Sequence, residues 1–144
     1  FDVSNTNFKK NSFDCCISTN TLEHIPKKQI LRIFKELRRI IKKNGLILAY
    51  IDYSDHYSHT DKSINQLNFL KFSNEEWKAY NHSSHYQNRL RHYDYIDIFQ
   101  NLNFKILTSK AFFENVEGDV PVSNEFNIDK KSLKATSGFF ALKL

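Results

Sequence analysis

Methionine is absent from the 144 residues, and glycine and proline are scarce, at three and two. A chain without an initiator Met reads as one whose first residue is a cut inside a longer protein. None of the glycines stands in a G-x-G pair, so these residues encode no glycine-rich nucleotide loop. No run of about 18 apolar residues occurs, which excludes a membrane-spanning helix of the usual kind. The stretch from Phe1 to Asn11 is polar, with two lysines, and lacks the apolar centre of a secretory signal. Only two cysteines occur, Cys15 and Cys16, and they are adjacent. Neighbours on a strand point to opposite faces, so a bridge between them would be strained. A disulfide scaffold is excluded, a reducing cytoplasm is the expected location, and both thiols are expected to be buried in a strand.

What is present suits one domain with a real core: 40% of residues are hydrophobic and 15% aromatic. The net charge of +5 comes from sixteen lysines and five arginines beside fifteen asparagines. That is the residue usage of an AT-rich genome, and no nucleic-acid partner is expected from it, since net charge speaks to association rather than fold.

The chain alternates between regular and irregular stretches. Phe13–Ser18 is a short apolar run and predicts a buried strand. From Pro26 to Lys43 the apolar residues are Ile30, Leu31, Ile33, Phe34, Leu37, Ile40 and Ile41, and steps of three and four put most of them on one helical face. Lysines and arginines fill the other face and read as solvated. Pro26 suits the first turn of that helix and Asn44-Gly45 its left-handed stop. Leu46–Asp52 (LILAYID) is continuously apolar until its final acid, which predicts a strand buried on both faces of a parallel sheet. Phe13–Asp52 is thus a β–α–β unit.

Tyr53–Leu90 differs in kind, being rich in His, Tyr, Asn and Ser. Ser73-Asn-Glu-Glu76 is a capping box that predicts a helix over Asn74–Tyr80. Trp77, Tyr80 and Phe69 are expected to form a small core there. His92–Leu102 predicts a second long helix with Tyr95, Ile96, Phe99 and Leu102 inward. Lys105–Phe112 and Gly138–Leu144 predict strands, separated by a polar excursion over Asn115–Thr136. The order indicates an α/β domain with a final antiparallel strand.

Three stretches together resemble the class I S-adenosylmethionine (SAM)-dependent methyltransferases of the "methyltransferase domain 11" kind. Asp2 and Phe8, six apart, precede Asn11-Ser-Phe-Asp14, like the family's entry into its fourth strand. Thr21-Leu-Glu-His-Ile25 follows that strand directly. Glu36-Leu-Arg-Arg-Ile-Ile-Lys-Lys-Asn-Gly45 is similar to the family's "ELxRVLKPGG" entry into strand 5, with Lys43-Asn44 in place of Pro-Gly. Asn103-Phe104 resembles the family's "GF" before strand 6. The resemblance implies a Rossmann-like methyltransferase fold of which the chain holds strands 4, 5, 7 and 6, with strand 4 an exposed edge. All of residues 1–144 would be the C-terminal part of one methyltransferase domain, with 53–91 a substrate-side insert, and the N-terminal half of the domain its missing partner. The family's glycine-rich loop and ribose-binding acid have no counterpart here.

The implied cofactor is S-adenosyl-L-methionine. By resemblance Asp2 would accept from the adenine amino group, Val3 would donate its backbone N–H to the ring, and Phe8 would pack nearby. Ser18, Thr19 and Asn20, leaving strand 4, would line the methionine part. In some relatives, such as quinone and small-RNA 2′-O-methyltransferases, an E-x-x-E-H arrangement binds a divalent metal. Here Asn20 takes the first position, giving N-x-x-E-H with Glu23 and His24, and the lost carboxylate argues against a hard cation. No metal is expected, and His24 is left between a base or substrate-side role and a structural one.

Asp52-Tyr-Ser-Asp-His-Tyr-Ser-His59 is the most unusual stretch. A histidine near neutral pKa can take a hydroxyl proton, so His56 and His59 are candidate bases with Asp52 and Tyr57 beside the acceptor. A metal pair with Asp52 or Asp55 is the alternative, and His-x-x-His alone is weak evidence for it. His85, Tyr86, Asn88 and Arg89 suit a polar, hydroxyl-rich or anionic acceptor. The expected activity is SAM-dependent methyl transfer to oxygen on a small-molecule or glycan-linked substrate. The insert resembles methyltransferases encoded among bacterial surface-polysaccharide genes. An RNA methyltransferase, a non-catalytic methyltransferase-like binding module and a metal-dependent hydrolase built on His56 and His59 stay open as alternatives.

Overall fold

A computed structural model describes residues 2–114, 120–126 and 130–144, so Gly118 and part of the polar excursion lie outside the described residues. Four strands form one sheet in the order β1-β2-β4-β3. β1 (Phe13–Thr19) and β2 (Ile41–Asp52) run parallel, joined by α1 (Lys27–Ile40). β4 (Ser137–Lys143) runs antiparallel between β2 and β3 (Lys105–Phe112). This is the expected strand order, antiparallel closing strand included, and β1 is an edge.

The helix is shorter than its periodicity predicts. Pro26 sits at the N-cap with extended backbone, and the helix ends at Ile40. Ile41 turns extended, pairs with Phe13 and is only 1% exposed, while Lys42 bridges to Asp14 at 2.8 Å. Pairing with β1 buries Ile41 in the sheet, and tertiary pairing overrides the local helical pattern. Gly45 is therefore no helix stop; a Cβ there would meet the Asp14 carbonyl oxygen at 2.8 Å, so its role is close strand approach.

The apolar face of α1 and the residues Tyr95, Ile98 and Phe99 of α4 (His92–Asn101) cover one face of the sheet. They meet Ile47, Ala49, Ile51, Phe140 and Leu142, with Phe99 and Phe140 rings 5.0 Å apart. Ile17, Leu46, Tyr50 and Phe112 are exposed. The continuous apolarity of Leu46–Asp52 thus misled: burial along β2 alternates, because both long helices lie on one face. The thiols also depart from expectation, since Cys15 is exposed and Cys16 only half-buried.

The segment from Tyr53 to Leu90 folds over the C-terminal ends of β1 and β2. It holds α2 (Tyr57–Thr60) and α3 (Asn74–Tyr80), which begins at the full Ser73/Glu76 capping box. Leu67, Phe69, Leu70 and Trp77 make a second core, completed by Leu133 of α5 (Lys130–Leu133). Tyr80, expected inside, is 45% exposed, though its ring lies tilted against Phe72 at 4.7 Å.

Candidate active site

In open α/β sheets, ligand sites form beyond the carboxyl ends of the parallel strands. Here β1 stops before Asn20, whose positive φ of 47° breaks the strand while its N–H still donates to the Tyr50 carbonyl at 3.0 Å. A 3₁₀ turn, Leu22–His24, follows. Leu22 plugs into the core and draws Glu23 in behind it, so that Glu23 is only 2% exposed. Asn88 fixes this turn: its side chain donates to Leu22 O and Ile25 O, each at 2.7 Å, and its N–H to Glu23 O at 2.7 Å.

β2 ends at Asp52. Its Oδ1 accepts from Ser54 N–H at 2.7 Å, and its Oδ2 lies 3.5 Å from His56 Nε2 and 3.6 Å from His59 Nε2. Burial alone would raise the Asp52 carboxyl, but the His56 ring and the Ser54 hydroxyl and N–H more than offset it and hold it below its ordinary value. His59 also meets Ser54 Oγ at 2.9 Å. Gln87 pins the loop, accepting from His56 N–H and donating to Ser54 O.

The two strand ends thereby converge. The His24 and His56 rings are 4.9 Å apart and those of His56 and His59 4.8 Å. Glu23, His24 and His56 form one set whose ligating atoms lie within 4.8 Å of one another; Asp52, His56 and His59 form a second. Beside them a cavity of about 310 Å³ is lined by Asn20, Tyr50, Asp52, Ser54, His59, Gln66, Glu114 and Ser137. A hollow of about 340 Å³ at the start of α1 is lined by Asp2, Ser4, Pro26, Lys28, Gln29 and Arg32. The Asp2 carboxyl is held below its ordinary value by the Ser4 hydroxyl and N–H.

Other expected residues fall elsewhere. Phe8 packs edge-on against Phe13, 4.9 Å away at the opposite end of β1. Val3 is 42% exposed near the first hollow, and Ser18 and Thr19 are the last residues of β1. Arg89, expected at the acceptor, instead donates to Phe69 O and Phe72 O and lies over the Trp77 and Phe126 rings. Asn88 is likewise spent on the Leu22–His24 turn. Tyr57 donates to Tyr80 O, Tyr86 accepts from His24, and the His85 ring lies against Tyr57 at 5.3 Å. Sequence reasoning passed over Arg91 as more than one of several polar groups. It is wholly buried, donates to Tyr53 O, Leu133 O and Ala135 O, and burial lowers its pKa to about 10. Its only sequence signal was a cation set directly before an apolar helix.

The model of the "Methyltransferase domain" family matches residues 1–49. No curated protein matches the chain. Several solved structures do. One is the methyltransferase of Haloferax volcanii in complex with the Trm112 methyltransferase activator, at 16% identity and TM-score 0.58, covering 99% of this chain and 59% of that one. A SAM-dependent methyltransferase from Mesorhizobium loti matches at 8% identity and TM-score 0.60, over 100% and 67%. One from Clostridium acetobutylicum matches at 14% and 0.58, over 100% and 63%. The fold is that of a class I methyltransferase. The chain spans about three fifths of the length of the Haloferax volcanii methyltransferase it matches. In methyltransferase terms, β1, β2, β4 and β3 are strands 4, 5, 7 and 6, and the histidine cluster stands where strands 4 and 5 end. No helix among the described residues is long and apolar enough to cross a membrane.

Proposed function

We propose that the chain is the C-terminal part of a methyltransferase domain that transfers the methyl group of SAM to an oxygen of a small-molecule or glycan-linked acceptor. The carrying observation is the polar cavity at the ends of β1 and β2, bounded by His59, Asp52 and Asn20 within a methyltransferase sheet.

The residues present fit part of the cofactor. The hollow at the start of α1 offers a carboxylate, Asp2, whose second oxygen is free of the Ser4 bonds and suits an adenine amino group. Ser18, Thr19 and Asn20 would face the methionine part. These residues hold no glycine-rich loop, which the rest of such a domain would supply. Bound SAM supplies an electrophilic methyl group on a sulfonium.

The chain's own groups would orient the acceptor and take its proton. The cavity is lined almost wholly by amides, hydroxyls and carboxylates, the donors and acceptors that a polyhydroxylated acceptor pairs with. His59 is half-exposed to it, and Ser54 and Asp52 hold the ring, the arrangement a general base requires. The groove of about 570 Å³ lined by Trp77, Asn81, Tyr86 and Arg89 would take the distal part of a longer acceptor.

The test is calorimetric binding of S-adenosylhomocysteine to the full-length protein, followed by methyl transfer from labelled SAM to hydroxyl acceptors. Saturable binding weakened by Asp2→Ala supports the reading. A folded protein that binds no S-adenosylhomocysteine overturns it in favour of a non-catalytic module.

A further inference from the structure

The cavity beside His59 has a charge opposite to that of the chain. The chain carries a net +5, yet among the described residues the cavity is lined by the carboxylates of Asp52 and Glu114 and by no lysine or arginine. The two acids come from different strands. Ser137, the first residue of β4, pairs with Asp52 on one side and with Phe112 on the other, and Glu114 follows two residues beyond Phe112. The acids therefore reach the cavity from both sides of β4. A concave site lined by one sign of charge concentrates ions of the other sign.

The hydrogen bonds of the lining point the same way. Its donors are spent within it, and its acceptors are left over. Gln66 donates its amide N–H to Glu114 Oε2 at 3.2 Å, while its own Oε1 is buried without a partner among the described residues. The Tyr50 hydroxyl donates to Ser137 Oγ at 2.9 Å, which leaves the Tyr50 oxygen to accept. The second oxygen of Glu114 makes no hydrogen bond among the described residues. Asp52 is kept a carboxylate by the His56 ring and the Ser54 hydroxyl and N–H. A ligand that fits this lining brings donors and positive charge.

A protonated amine offers three N–H donors and no acceptor, and its hydrogen bonds to carboxylates are of the stronger, charge-assisted kind. A hydroxyl in the same place would bring one donor and no charge. The protonated amine has no lone pair with which to attack a methyl group, so it can serve only as a handle. We propose that the methyl acceptor is an amino alcohol or amino sugar, whose ammonium group is held by Asp52 and Glu114 while a neighbouring hydroxyl faces His59. This rests on the methyl-transfer reading above and narrows its acceptor to a cationic one.

The test is calorimetry on the full-length protein saturated with S-adenosylhomocysteine. Methyl glucosaminide is titrated against methyl glucoside, and ethanolamine against ethylene glycol. At least one amine should bind at least about tenfold more tightly than its hydroxyl counterpart. Glu114→Gln, which keeps an acceptor for Gln66 and removes the charge, should cut that preference by at least about threefold and leave S-adenosylhomocysteine affinity unchanged. Glu75→Gln, an exposed acid on α3 outside the cavity, should change neither by more than about twofold. Equal binding within both pairs, or binding of neither amine, overturns the inference and leaves the methyl-transfer reading standing. So does a Glu114→Gln variant that loses S-adenosylhomocysteine affinity as much as amine affinity, because the charge would then serve the amino group of the cofactor. A folded protein that binds no S-adenosylhomocysteine removes the methyl-transfer reading and this inference with it.

Discussion

The sheet with α1 and α4 and the insert from Tyr53 to Leu90 are held together in different ways. In the sheet unit, strand ladders and long helices satisfy the backbone, and apolar side chains do the packing. The insert has only short helices, so many of its carbonyls have no ladder to join. Arg89 and Arg91 donate to them instead, while Gln87 and Asn88 tie the insert to the loop and the turn that end the two parallel strands. Residue types that suggest ligand binding in a sequence are here the substitute for secondary structure. The same contrast isolates Glu23: it is one buried polar group that this stitching leaves unserved.

The largest effect should come from the most deeply placed stitch. Arg91→Ala strips donors from three buried carbonyls, at Tyr53, Leu133 and Ala135, and should cost at least about 3 kcal/mol in denaturant unfolding. A loss below about 1 kcal/mol would mean that water serves those carbonyls and the contrast is overdrawn. Gly138→Ala probes the seam between the regions. A Cβ there would meet His92 Nδ1 at 2.7 Å, beneath the Tyr53 ring, and should cost on the order of 2 kcal/mol by overpacking.

Asn88→Ala should cost about 1–2 kcal/mol in denaturant unfolding, because the turn bearing Glu23 and His24 loses its clamp. An unchanged unfolding midpoint would show that the turn holds its shape without the insert.

His92 supplies a pH dependence. Its ring lies between the Tyr53 hydroxyl and Ser109 Oγ, and burial, helped by the Arg91 charge, lowers its pKa to about 4. The unfolded chain has the ordinary value of about 6.5 and takes up the proton first. This contribution to stability is therefore complete above about pH 6.5 and lost as pH falls toward 4. Unfolding midpoints across that window should drop in the native protein and drop less in His92→Gln. The smallest effect is expected on the outer surface of the insert. Breaking the exposed Lys78–Glu75 pair, 2.6 Å long, with Lys78→Ala should change stability by less than about 0.5 kcal/mol.

Much of the fold was legible from the chain. Apolar spacing gave α1 and α4, the capping box located α3, and the strand order followed from a family resemblance concentrated in Asp2–Asp52. The misreadings were of environment. Leu46–Asp52 looked buried on both faces and is buried on one. Lys42 and Lys43 continued a helical pattern and joined a strand. Asn88 and Arg89, expected beside an acceptor, also donate to backbone carbonyls, and a sequence names a donor group without naming what it reaches.

The sequence by itself determined the class of the fold, the sites of its helices and strands, and that histidines and acids follow the ends of two parallel strands. Periodicity, caps and strand-ending residues act between chain neighbours, so they can be read locally. Only the tertiary structure decided which of those polar groups are occupied. Asn88 reaches Leu22 and Ile25, Arg91 reaches Ala135, and Glu23 comes to lie beside His56 rather than beside a hydrogen-bond partner. Those distances in sequence are closed by burial of the two cores, and no local pattern encodes them.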